Sequence, residues 1–372
     1  MFINQSKYIN HSYFMRLALA QAQKNLGQTN ENPSVGCVIT KNSSVVSVGC
    51  TNINGRPHAE YNAINQSKIN LKDAELYVTL EPCSHYGESA PCTKSIISSG
   101  IKKVFFSIND PDLRSHNKCS KLLKSRKIGV KKGICSQEAN SFYKSYIKSK
   151  NSFLPFVTCK LAISKDFFTI NKKKRWITNK FSRGRVHIMR SNHDCIMTSC
   201  ETIIKDNSNL TCRINGLKNK SPSRIILDDK LKIPMNSNVL KEASNHHTVI
   251  FYNKFNKKKI KLLKKLKIGL FKISIDVDGN LDLREALIKA KELGFYRIFI
   301  ESGMKLVISF LRKDLIDDLN LFISNKNLGK NGKNNIKKQL NFFLRNKVRI
   351  IEKVNLFGEK LITYKIKQCS VE

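Results

Sequence analysis

Four side chains in two short stretches have the types and spacing for chemistry. His58-Ala59-Glu60 offers an imidazole and, two positions on, a carboxylate, while Pro82-Cys83 and Pro91-Cys92 offer two thiols. One imidazole and two thiolates fill three positions of a tetrahedral zinc ion and leave the fourth to water. A carboxylate outside the ligand set can then move that water's proton. The chemistry implied is hydrolytic. Each residue alone has a plainer reading, the histidine as an ordinary polar group and the cysteines as small core hydrophobes. Together, in this order, they read as one zinc site with His58, Cys83 and Cys92 as metal ligands and Glu60 as the catalytic proton carrier.

Such a site needs elements to hold it. A helix beginning near Pro57 places His58 and Glu60 in its first turn. Pro91 suits the start of another helix, whose free N–H groups and dipole favour a thiolate at Cys92. Before them, Phe14, Leu17, Ala18 and Ala22 recur at helical spacing. Val35 to Thr40 and Val45 to Gly49 read as a hairpin across Lys41-Asn42-Ser43, and Leu76 to Leu80 as a buried strand. Thr93 to Ser99 (helix), Val104 to Ile108 (strand) and Lys118 to Lys127 (helix) continue the alternation, and Gln137 to Ile147 is a further helix. Strands alternating with helices imply layered α/β architecture, with ligands at strand-to-helix junctions.

Lys148 to Ser152 is polar and without periodicity, so the spacing predicts a first domain over 1–147, a linker over 148–154 and a second domain over 155–372. In the second, candidate strands are Phe156 to Ile163, Asp194 to Ser199, Arg224 to Leu227, Thr248 to Tyr252, Arg297 to Ile300 and Leu319 to Ser324. Candidate helices are Phe181 to Arg190, Leu283 to Leu293 and Lys305 to Leu311, and Val348 to Ile366 alternates as a final β pair. Glu301-Ser302-Gly303, between a strand and a helix, can cradle a phosphate on backbone N–H groups, though a simple turn is as good a reading of one glycine. Arg190 and Arg213 have the geometry to grip a sugar phosphate, as do many surface arginines that bind nothing.

The 372 residues suffice for two domains with separate cores. Eleven cysteines, an odd number, are scattered along the chain, and Met1 to Phe14 has no apolar run behind a basic start, so secretion is not expected. No stretch reaches the apolar length of a bilayer span. A cytoplasmic protein is expected. The formal net charge of +39 would ordinarily point to nucleic acid or an anionic surface. The lysines, however, are spread throughout, as in Lys172-Lys173-Lys174 and the run from Lys257 to Lys267, and none is interleaved with stacking aromatics. The charge therefore reads as a biased vocabulary, and the expected partner is a small molecule, with no nucleic acid and no membrane; a homo-oligomer is left open.

His-x-Glu followed by two cysteines is the recognised signature of zinc-dependent deaminases. Among these, Thr79 to Cys92, TLEPCSHYGESAPC, resembles the deaminase half of the RibD family of bifunctional riboflavin-biosynthesis proteins. The long insertion from Ser84 to Pro91, with His85 and Gly87, carries the likeness, as do Asn32-Pro33-Ser34-Val35-Gly36 and Asp110-Pro111. It covers the first ~150 residues. After Asp110-Pro111 the family's glycine-containing loop is replaced by Asp112 to His116. A nucleic-acid deaminase, the nearest competing reading, usually has only two residues between these cysteines.

The second half is similar to the family's reductase domain, which implies a dihydrofolate-reductase-like α/β fold and NADPH. By the resemblance, Ala162, Trp176, Thr202, Asp206 and Gly303 contact the cofactor, and Lys174, Arg190, Leu210, Arg213 and Glu301 hold the phosphoribosyl substrate. Departures from the family pattern are Ser164-Lys165-Asp166-Phe167 for its Ser-Leu-Asp-Gly, Lys174 for a small hydroxyl residue, and Asn207 in its Asp-Asp-Pro. A deaminase whose second half serves only as a scaffold is the other reading. The expected reactions are hydrolytic deamination of a phosphoribosylated diaminopyrimidinone, then hydride transfer from NADPH that converts ribosyl to ribityl.

Overall fold

The computed structural model describes residues 10–345 and 348–366. Most of the N-terminal stretch read above for a targeting segment, residues 1–9, lies outside the described residues. The chain divides into two compact units, Met1–Ser152 and Phe153–Glu372.

The first unit contains helices α1 (His11–Ala22), α2 (Ala59–Gln66), α3 (Cys92–Ser98), α4 (Cys119–Ser125) and α5 (Ser136–Asn151). Its strands are β1 (Gly36–Lys41), β2 (Ser44–Cys50), β3 (Glu75–Leu80), β4 (Lys103–Ile108) and β5 (Gly129–Lys132). The sheet order is β2-β1-β3-β4-β5, with the β1 pairs antiparallel and β3-β4-β5 parallel. Asn42 and Ser43 both have positive φ, 51° and 63°, the conformation that a tight hairpin turn requires. Two glycines set the helices close to the sheet. A Cβ on Gly36 would lie 1.9 Å from the Ala18 carbonyl oxygen of α1, and one on Gly49 would lie 2.3 Å from the Ala59 carbonyl oxygen of α2. This close approach seats the start of α2, and with it His58 and Glu60, against β1 and β2.

The second unit contains helices α6 (Lys180–Ser191), α7 (Cys200–Asp206), α8 (Asn238–Lys241), α9 (Lys257–Lys265), α10 (Leu283–Glu292), α11 (Met304–Arg312) and α12 (Lys337–Leu344). Its strands are β6 (Phe156–Ile163), β7 (Phe168–Asn171), β8 (Cys195–Ser199), β9 (Ser223–Leu227), β10 (Thr248–Tyr252), β11 (Gly269–Lys272), β12 (Arg297–Glu301), β13 (Asp318–Ile323), β14 (Gly332–Asn335), β15 (Val348–Leu356) and β16 (Glu359–Ile366). A nine-stranded sheet runs β11-β10-β9-β8-β12-β6-β13-β16-β15, and β14 pairs with β7 apart from it. The strands from β11 to β13 are parallel; β16 and β15 close the edge antiparallel. β6, buried along nearly its whole length, lies between β12 and β13 in the core.

Lys148 to Asn151, expected as linker, forms the last turn of α5. The lysine run from 257 becomes the helix α9, in which Leu263 is buried. No helix among the described residues is long and apolar enough to cross a membrane.

Candidate active site

His58 is the N-cap of α2, one residue before the helix, and Glu60 sits in its first turn. Cys83 follows β3, and Cys92 opens α3 with Pro91 as N-cap. These junctions bring three ligand atoms of His58, Cys83 and Cys92 within 4.8 Å of one another. The Nδ1 of His58 lies 3.6 Å from Cys83 Sγ and 3.4 Å from Cys92 Sγ. A tetrahedral zinc ion with ordinary Zn–S and Zn–N bonds would hold such atoms about 3.5 Å apart. The donor set therefore fits zinc through Nδ1, with three ligands and one position open.

The two thiols differ, and the negative charge settles on Cys83 and not on Cys92, where the helix start alone would favour it. Cys83 is held down at about 4 by hydrogen bonding with the Cys92 thiol, against its burial and with help from His58; the backbone N–H of Cys92 also donates to its Sγ at 3.2 Å. Cys92, hydrogen-bonded to Cys83 and buried, is pushed up. Burial works against a charged His58, yet Cys83 and Glu60 outweigh it and raise its pKa. Glu60 is buried and raised to about 7, first by burial and then by the neighbouring Cys83 charge. A carboxylate poised near neutrality beside a metal-ligand set can accept and return a proton.

Around this centre, the buried Glu81 carboxylate accepts from the backbone N–H groups of Asp110 (3.3 Å), Asn117 (3.0 Å) and Cys119 (3.1 Å). It thereby fixes the loop that follows β4. Ser115, in that loop, lies 3.0 Å from His85 Nδ1 in the insertion between the cysteines. Arg56 holds the same insertion through Glu88 (3.0 Å) and Ser89 (2.7 Å).

In the second unit the expected residues fall into three groups. Thr202 Oγ1, Ser199 Oγ and Ser302 Oγ lie 2.9–3.1 Å from one another, at the adjoining carboxyl ends of the parallel strands β8 and β12. Gly303, the N-cap of α11, has nothing within 4 Å of where a Cβ would stand. Hydroxyls, an open glycine and the free N–H groups of a helix start suit the diphosphate of a dinucleotide such as NADPH. The second group joins Trp176 and Asp206 through Arg175, whose Nη2 donates to the Asp206 carbonyl at 3.2 Å and whose guanidinium lies 4.9 Å from the Trp176 ring centre.

The third group is Arg190 with Glu301, joined by two hydrogen bonds of 2.8 and 2.9 Å, and Arg213, whose backbone N–H donates to His187 Nδ1 at 3.2 Å. Leu210 is buried at φ 58°, a left-handed backbone that bulky residues rarely adopt. Ala162 faces Phe322 across the β6–β13 register and packs into the core. Lys174 is exposed, its backbone N–H on the Asn171 side chain. No local motif marks Arg175 or His187, because their partners arrive from distant strands and helices, whereas Glu81 lies within the Thr79 to Cys92 motif and Ser302 within Glu301-Ser302-Gly303. The one legible trace is the i, i+4, i+7 spacing of Arg183, His187 and Arg190 on one face of α6.

Residues 9–108 match the family model "Cytidine and deoxycytidylate deaminase zinc-binding region", and residues 155–355 match "RibD C-terminal domain". The riboflavin biosynthesis protein RibD of Aquifex aeolicus is 35% identical over 318 residues, covering 85% of this chain and 87% of the relative. The chain belongs to the RibD family. RibD of Buchnera aphidicola subsp. Baizongia pistaciae is 33% identical, covering 90% of each chain. The solved structure of Acinetobacter baumannii RibD superposes with TM-score 0.82 at 26% identity, covering 96% of this chain and 99% of that one. A diaminohydroxyphosphoribosylaminopyrimidine deaminase/5-amino-6-(5-phosphoribosylamino)uracil reductase from Thermotoga maritima superposes at 0.79 with 27% identity, covering 96% and 98%. The deaminase-like and RibD reductase folds expected from the sequence are thus both present. This member of the family is a bifunctional deaminase and reductase of riboflavin biosynthesis, with zinc and NADPH as cofactors.

Proposed function

We propose that residues 1–147 form the deaminase domain, that 155–372 form the reductase domain, and that 148–154 join them. The substrate of the first is a phosphoribosylated diaminopyrimidinone. His58 Nδ1 and the Sγ atoms of Cys83 and Cys92 hold zinc. When bound, zinc supplies Lewis-acid activation of a water for attack on the amine-bearing ring carbon. Glu60 takes a proton from that water, delivers it to the adjoining ring nitrogen and then assists departure of ammonia. The observation that carries this reading is the buried Glu60 beside a three-ligand set spaced for tetrahedral zinc.

In the reductase domain NADPH supplies hydride to the opened ribose of the deaminated ribotide. Thr202 and Gly303 hold its diphosphate, Trp176 and Asp206 contact the rest of the cofactor, and Ala162 lies beneath it on β6. Arg213 and Lys174 bind the substrate's phosphate end, and Leu210 packs against the sugar. Arg190 fixes Glu301, whose carboxylate accepts from ribose hydroxyls. The protein works in the cytoplasm on a small molecule and binds neither nucleic acid nor membrane. A coupled assay that follows ammonia and NADPH separately tests both halves. Ammonia release from the diaminopyrimidinone ribotide, followed by NADPH oxidation, is expected. Ammonia release without NADPH oxidation would reduce the second domain to a scaffold.

A further inference from the structure

Trp176 is the sole tryptophan of the chain, and its half-exposed ring is flanked by two guanidinium groups. Arg175 lies 4.9 Å and Arg183 5.2 Å from its centre. Arg175 is tethered to the Asp206 carbonyl, and Arg183 donates to the Thr178 carbonyl. Along the same face of α6 follow His187, which receives the Arg213 N–H, and Arg190. Four arginines, Arg175, Arg183, Arg190 and Arg213, therefore share this side of the domain, and Arg190 holds both carboxylate oxygens of Glu301. Among the described residues neither Arg175 nor Arg213 has an ion pair with a carboxylate, and Arg213 is lowered by burial and by Arg190, partly offset by the Glu301 charge, with Arg175 adding to the lowering. His187, lowered to about 4 by burial and by Arg190 and Arg213, is neutral and adds a ring nitrogen without charge.

Cations left uncompensated next to one another disfavour the site unless an anion joins them, and a phosphate monoester carries nearly two negative charges at neutral pH. Guanidinium groups bind its oxygens through paired N–H donors. We infer that Arg175 is a phosphate-monoester-binding residue of the reductase domain, held in place by stacking on Trp176 and by the Asp206 carbonyl. The inference rests on the reductase reading above for its two sources of that chemistry. These are the phosphate of the ribotide and the 2′-phosphate that distinguishes NADPH from NADH.

The test uses the full chain as wild type, Arg175→Ala and Arg175→Lys. Trp176 fluorescence is titrated with ribose 5-phosphate and, separately, with 2′-AMP, without turnover. Steady-state assays give KM for the deaminated ribotide, NADPH and NADH. Loss of one charge-assisted contact is expected to weaken binding about tenfold or more in Arg175→Ala. The KM effect should exceed the kcat effect, and Arg175→Lys should recover part of it. If the ribotide is the source, its KM and the ribose 5-phosphate titration move; if the cofactor is, the NADPH-over-NADH preference and the 2′-AMP titration move. If both titrations and all KM values in Arg175→Ala match wild type, the inference is overturned. A wild type that binds a phosphate probe through Arg175 but oxidises no NADPH would refute the reductase reading and leave the phosphate site standing.

Discussion

Arg190 and Glu301 form a two-pronged ion pair in the second unit, Nε to Oε2 at 2.8 Å and Nη2 to Oε1 at 2.9 Å, while Nη1 donates to the Thr211 carbonyl at 2.7 Å. The pair ties α6 to the end of β12 and to the loop that carries Leu210 and Arg213. Burial pushes Glu301 up, but the Arg190 charge and hydrogen bonds more than reverse this and hold it at about 2, below its ordinary 4.5.

A carboxylate depressed in the folded state stabilises fully above its unfolded pKa and loses that contribution as pH falls through the folded one. The stabilisation from Glu301, on the order of 3 kcal/mol, is therefore expected above about pH 4.5 and should fade toward pH 2. Glu301→Gln, which leaves Arg190 buried without its partner, is expected to cost about 3 to 5 kcal/mol near neutral pH. Trp176 fluorescence reads unfolding of this unit alone. An acid limb unchanged by the substitution would contradict the assignment.

Zinc removal should separate the two activities. The three ligands lie in the first unit, so chelation, or Cys92→Ser, is expected to empty the site and abolish ammonia release. NADPH oxidation with the already deaminated ribotide should continue. Metal content measured beside both rates checks this, and equal loss of both rates would oppose it.

Gly49 bears on the metal through packing. An added Cβ would meet the Ala59 carbonyl oxygen at 2.3 Å and the Ala63 nitrogen at 2.6 Å, both backbone atoms of α2. Gly49→Ala should push α2 outward, destabilise the unit by roughly 1–3 kcal/mol and weaken zinc binding, read by competition with a chromophoric chelator. Gly184, inside α6 with open space around its Cβ position, gives the contrast. Gly184→Ala should stabilise the second unit by about 0.5–1 kcal/mol.

The metal site was legible because its four residues lie within three local junctions, each marked by a proline or a helix start. β6 runs over the same residues, 156 to 163, that its apolar stretch suggested. The short strands β5, β7, β11 and β14 carry charged or polar residues such as GVKK and GKNN, and only tertiary pairing makes them strands. α9 was hidden because Ile260 and Leu263 are outnumbered by lysines that face solvent. The Arg190–Glu301 pair and the hydrogen bond from Arg175 to the Asp206 carbonyl join residues far apart in sequence, so no local pattern announces them.

Phe167 adopts φ 69° and packs its ring against the core beneath Lys337 Nζ. A left-handed backbone costs a non-glycine residue about 1–2 kcal/mol, while the half-buried ring contributes a comparable amount, about 1 kcal/mol. Phe167→Ala keeps the strain and loses the ring, so it should be less stable than Phe167→Gly by about 1 kcal/mol. Thermal unfolding of the two variants decides this; equal stability would mean that the backbone at 167 is not held left-handed.

The central claim is that Glu60 moves the proton while three other side chains hold the metal. Glu60→Gln, assayed for bound zinc and for ammonia release from the diaminopyrimidinone ribotide, tests it most directly. One zinc per chain with ammonia release reduced by a factor on the order of a hundred to ten thousand is expected. Zinc retained together with wild-type ammonia release would contradict the account.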